Sequence, residues 1–174
     1  MAGASHHFFH GMEDRELSLE RLVLAFREEE FRRYVRGFII DSRRLLDEVE
    51  PSELQLIADY VPGVFWRKLK GRGLRFYAVD GLVECYLGER PEDSSLEFAE
   101  DLLILNSLFW ERYGRRSFRK SQRMRPGEEY YLAFGAFFYR LSYVHRGSSI
   151  YRLMNLYYRP VVRELRELKR GGGG

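Results

Sequence analysis

Two stretches of the chain carry cations and no carboxylate. Residues 61–75 hold Arg67, Lys68, Lys70, Arg72 and Arg75, and residues 112–125 hold Arg112, Arg115, Arg116, Arg119, Lys120, Arg123 and Arg125. Of the 29 basic residues 25 are Arg, and a guanidinium is a planar fork that binds phosphate bidentately and stacks on bases. A high-GC genome, whose codons favour Arg, produces the same excess. Tyr113 and Phe118 interleave with the second stretch. Cations that track a phosphate backbone, with aromatic faces beside them, are what a polyanion with bases requires. The alternative use of the same cations is to pair with carboxylates, in this chain or in an acidic protein partner.

The charge pattern leaves both uses open. Residues 76–111 carry nine acids against one base, residues 13–60 carry 13 acids against eight bases, and the net charge of the whole is only +3. A surface built only for solubility mixes its signs; this sequence segregates them.

Other chemistries find no motif. There is no glycine-rich phosphate loop, no Gly-x-Ser-x-Gly and no His-Glu-x-x-His, and the single Cys85 excludes an internal disulfide or a multi-cysteine metal site. His6, His7 and His10 read as incidental residues of a lead-in arm. No cofactor and no metal is expected. No signal peptide is visible, and the apolar runs near 102–110 and 130–139 are too short to span a bilayer, so the expectation is a soluble, cytoplasmic protein with no membrane partner.

The elements that must position these side chains read mainly as helices. Apolar residues at three- and four-residue steps predict a helix from Glu16 to about Ile39, which Gly37 bends or ends, then one or two turns over Ser42–Val49. Ser52 reads as the cap of a helix over Glu53–Tyr60, and Val61-Pro62-Gly63 as a turn before a short helix at Val64–Lys70. Asp80-Gly81 between two β-prone runs predicts a hairpin over Leu74–Leu87. Ser94-Ser95-Leu96-Glu97 reads as a capping box for a helix to about Tyr113, apolar nearly all round and therefore central. Glu100-Asp101 reads as acids that the helix macrodipole favours. An aromatic helix follows over Glu128–His145, broken at Gly147-Ser148-Ser149, and a last helix from Ile150 is kinked at Pro160.

The order helix, Val-Pro-Gly turn, basic helix, hairpin over residues 43–87 resembles a winged helix-turn-helix. The resemblance is carried by Ser52–Gly63, by Val64-Phe-Trp-Arg-Lys-Leu-Lys-Gly-Arg-Gly-Leu and by the Asp80-Gly81 hairpin. It implies that Arg67, Lys68 and Lys70 face DNA on a recognition helix, with Arg72 and Arg75 at the base of the wing. It departs from that family in the bulky Phe65 and Trp66 near the start of the recognition helix. Separately, Arg140 and His145 match the Arg-x4-His spacing of HEPN-type ribonucleases. That resemblance implies His145 as general base on a ribose hydroxyl and Arg140 stabilising the developing phosphorane charge. The simpler reading, and the preferred one, is that His145 is a helix C-terminal residue favoured by the macrodipole.

The expectation is therefore a mainly α fold: a helical domain with one β-hairpin, winged-helix-like, and a C-terminal aromatic helical bundle. Residues 1–12 form a flexible arm, 13–170 one domain (43–87 the winged part, 94–170 the helical part) and 171–174 a disordered tail. The expected function is nucleic-acid binding without catalysis, as a regulator-like module or an accessory subunit. The nucleic-acid-binding residues are Arg67, Lys68, Lys70, Arg72, Arg75, Arg112, Arg115, Arg116, Phe118, Arg119, Lys120, Arg123 and Arg125. The alternatives are a helical ribonuclease using Arg140 and His145, and an adaptor that binds an acidic protein partner, or a second copy, through its aromatic helices.

Overall fold

The computed structural model describes residues 26–70, 91–110 and 127–168, with the side chains of 91–93 excepted. Among these residues every regular element is an α-helix and none is a strand: α1 (Glu28–Ile40), α2 (Arg43–Glu48), α3 (Pro51–Leu69), α4 (Pro91–Ser107), α5 (Glu128–Arg146), α6 (Ser149–Leu156) and α7 (Tyr158–Leu168). The expected class, mainly α with one β-hairpin, is corrected to an all-helical architecture among the described residues. The stretch 74–87 assigned to the hairpin lies outside them, as do the 1–12 arm, Cys85, the basic stretch 112–125 and the tail.

The winged arrangement also fails at its first joint. Val61-Pro62-Gly63 makes no turn, and α3 runs unbroken through it. Proline inside a helix removes one hydrogen bond and costs about 3 kcal/mol, and glycine adds about 1 kcal/mol. Burial offsets that. Val61, Val64 and Phe65 are fully enclosed, each worth roughly 1.5–3 kcal/mol, and they share one face only if the helix continues. A Cβ on Gly63 would sit 3.0 Å from a guanidinium nitrogen of Arg32, the far end of a flexible side chain on α1. Phe65 is buried and Trp66 packs on Phe31 of α1 at 5.5 Å, so the edge expected to read DNA bases is largely an internal seam.

Two other boundaries differ from expectation for local reasons. Of the helix expected from Glu16 to Ile39, residues 16–25 lie outside the described ones, Arg27 is extended, and α1 begins with Glu28-Glu29-Glu30, acids that suit a helix N-terminus. Pro160 does not kink a long helix. The chain breaks at Tyr157, which leaves Pro160 at the third position of α7, where an N–H would have no intrahelical partner. Two expected caps fall inside helices instead: α3 starts at Pro51, ahead of Ser52, and α4 at Pro91, ahead of Ser94–Glu97. Ser42, not singled out from the sequence, caps α2 by accepting from Leu45 N at 3.2 Å, and Gly147 closes α5 as expected, in the left-handed conformation at φ +76°.

One continuous core joins these helices. α4 is central, with every residue from Phe98 to Phe109 buried. It packs chiefly on α5; α1 lies on α3, α6 on α5 and α3, and α7 closes over α4, α2 and α5. No described helix is long and apolar enough to cross a membrane.

Candidate nucleic-acid interface

Burying the stretch Phe98–Phe109 takes two charges, Glu100 and Asp101, into the core, and each meets a base of α3. Lys68 Nζ lies 2.7 Å from Asp101 Oδ1, with only 6 % and 0 % of the two side chains exposed. Arg67 donates to Glu100 Oε2 at 2.8 Å from a side chain that remains 57 % exposed. Tyr60 donates to the same Glu100 oxygen at 2.9 Å and lies 3.2 Å from the Tyr139 hydroxyl. Because Tyr60 spends its one proton on Glu100, Tyr139 is the donor to Tyr60. Burial first, then the Glu100 charge, pushes the Tyr60 phenol well above its ordinary pKa; burial does the same to Tyr139. The Arg67 guanidinium is held more firmly protonated, chiefly by its bond to Glu100.

Of the cations assigned to a recognition helix, Lys68 is thus turned inward, Arg67 is half committed to Glu100, and Lys70 is exposed with its ammonium 5.8 Å above the Trp66 ring. The sequence reading missed Glu100 and Asp101 as their partners. The signal was available: Glu100 and Asp101 stand inside the apolar run that begins at Phe98, and acids buried there need buried cations. Arg72, Arg75, Arg112, Arg115, Arg116, Phe118, Arg119, Lys120, Arg123 and Arg125 lie outside the described residues.

A different surface emerges on α5. Its buried side holds Tyr131, Leu132, Gly135, Ala136, Phe138, Tyr139 and Ser142. The opposite side presents Tyr130, Ala133, Phe137, Arg140 and Val144 to solvent, with Phe134 and Leu141 half-buried along one edge. Tyr130 is 44 % exposed and Phe137 42 %. The rings run along the helix: Tyr130 stacks on Phe134 at 5.8 Å and 12°, and Phe134 on Phe137 at 6.3 Å and 29°.

This face is free of carboxylate by sequence as well as by position. From Tyr130 to Arg163 the chain contains no acid and five Arg. Glu128 and Glu129, at the start of α5, are held by α7: Arg166 donates to Glu128 at 2.7 Å, and Arg159 pairs with Glu129. Arg140, Arg146 and, on α6, Arg152 are exposed and have no partner among the described residues. Arg140 and His145 flank the stripe on opposite edges, about 140° apart around the axis and about 7.5 Å apart along it. Both are exposed, and one copy does not bring them to a common point. Among the described residues no group of three His, Cys, Asp or Glu is placed to hold a metal.

No family model matches the chain, and no curated protein or solved structure does either.

Proposed function

We propose that the protein binds nucleic acid without catalysis, with the exposed face of α5 and the neighbouring arginine of α6 as part of the contact surface. One observation carries this reading: an acid-free run of chain that exposes Arg140 in line with the solvent-facing aromatic rings of α5, with Arg146 and Arg152 exposed elsewhere on the same run. The sequence adds seven further bases in 112–125, separated from α5 by neutral residues. Cations in that density, with the nearby acids Glu128 and Glu129 already held by α7, leave a positive field for a phosphate backbone.

The test is a salt series of binding to duplex DNA, single-stranded DNA and single-stranded RNA. Affinity falls steeply with salt, and replacing Arg140, Arg146 and Arg152 together with Ala flattens the log–log slope by about 2 to 3, at roughly 0.9 per duplex phosphate contact. A protein that binds none of the three at low salt refutes the reading.

A further inference from the structure

We infer that the solvent face of α5 is a stacking platform for single-stranded nucleic acid, so that the strand, not the duplex, is the preferred ligand. This rests on the nucleic-acid reading above and goes beyond it, because arginines alone serve either form. The rings decide. In a duplex the base faces are covered by their neighbours, and an exposed aromatic side chain gains little from a phosphate backbone. In a single strand every base offers a π face, and an aromatic side chain can take it whatever the sequence. Tyr130 and Phe137 are each more than two-fifths exposed, on the one side of α5 that no described helix covers. Phe134 lies between them as a half-buried backing, in ring contact with both. From Tyr130 to Arg140 the helix rises about 15 Å, the span of a few nucleotides, and Arg140 ends the aromatic run with a cation that can stack or bind phosphate.

Charge complementarity favours this occupant over a second copy and over a purely apolar helix. A second copy of α5 against this face would bring Arg140 and no carboxylate to answer it, since the chain has no acid from Tyr130 to Arg163 and the two acids just before are paired with α7. A helical partner with a purely apolar face would bury Arg140 without a counter-charge, which is costly. A strand brings phosphate for the arginine and bases for the rings.

The experiment compares full-length wild type with Tyr130→Ala/Phe137→Ala by fluorescence anisotropy on oligothymidylate, oligouridylate and a duplex of equal length, with sedimentation velocity on both proteins. The double variant is expected to bind both single strands roughly tenfold or more weakly, to bind duplex within about twofold of wild type, and to keep the same salt slope, because stacking releases no counterion. Unequal losses on the two strands tell DNA from RNA and support the platform either way. Phe137→Trp provides a check that does not depend on truncation: it should retain single-strand affinity, and its emission should respond to single strands and not to duplex. Unchanged single-strand affinity in the alanine variant overturns the platform while leaving the general reading intact, and an indole insensitive to bound strand does the same. A wild-type dimer that the double variant dissociates, with single-strand affinity unaltered, overturns it in favour of a second copy. Failure of the wild type to bind any nucleic acid at low salt removes both readings together.

Discussion

The ammonium of Lys68 and the carboxylate of Asp101 meet at 2.7 Å in a place that water barely reaches, and they join α3 to α4, the helices on either side of residues 71–90. An ion pair of this kind is defined by what happens when one half is removed. Lys68→Met strands the Asp101 charge in the core and is expected to destabilise the fold by about 3–5 kcal/mol. Lys68→Met/Asp101→Leu removes both charges and should recover most of that loss. Chemical denaturation of the two variants is the check, and a double variant no more stable than the single one contradicts the assignment.

Tyr60 and Tyr139 form a directed chain into Glu100, which makes their phenylalanine variants unequal. Tyr139→Phe removes one donor and costs about 1 kcal/mol; Tyr60→Phe removes a donor from Glu100 and leaves the buried Tyr139 hydroxyl without an acceptor, at about 1–3 kcal/mol more. The same groups set an alkaline limit. Tyr60, Tyr139 and Tyr158 all stay protonated in the fold above their ordinary pKa of 10.0, chiefly through burial. In the unfolded chain they ionise near pH 10, so their contribution is complete below that pH and is lost as pH rises toward the folded values. Each steepens the fall by about 1.4 kcal/mol per pH unit. Denaturant melts across that range, repeated on Tyr139→Phe, should show the slope reduced by one such increment.

Two helical glycines should respond oppositely to alanine. A Cβ on Gly135 of α5 would fall within the Tyr158 hydroxyl and 2.7 Å from its ring Cε1, and Tyr158 is fully buried among neighbours that hold it. Gly135→Ala is therefore expected to destabilise by about 3 kcal/mol despite its better helix propensity. Gly37 of α1 has nothing within 4 Å, and Gly37→Ala should stabilise by up to about 1 kcal/mol. Thermal melts of the two variants give the signs.

Much of the helical order was legible from local chemistry. The steps through Val35 and Ile39, the apolar run of α4 from Phe98 and the stop at Gly147 each state their structure within a few residues. What failed was decided at long range. Pro62-Gly63 carries every local mark of a turn, and the burial of Val61, Val64 and Phe65 together is what favours a continuous α3. Lys68 looks like a surface cation until α4 supplies Asp101. The acid-free run from Tyr130 to Arg163 can be read from the letters. Which side of α5 faces solvent cannot, because Tyr130, Tyr131, Phe134, Phe137, Phe138 and Tyr139 are alike in type and differ only in what packs over them.

The enclosure of the stretch Phe98–Phe109 has a bearing on how the chain reaches its fold. A stretch so largely apolar is a poor intermediate by itself, since the surface it presents invites association with other chains. The helices before it and after it can find local partners early, α1 on α3 and α5 on α6. The residues from Phe98 to Phe109 must wait for both groups, and Glu100 and Asp101 act as addresses that let α4 settle in one rotation and no other. Nascent chains stalled before α7 would leave that helix uncovered on one side, which makes the last third of synthesis the interval in which this protein most needs protection from aggregation.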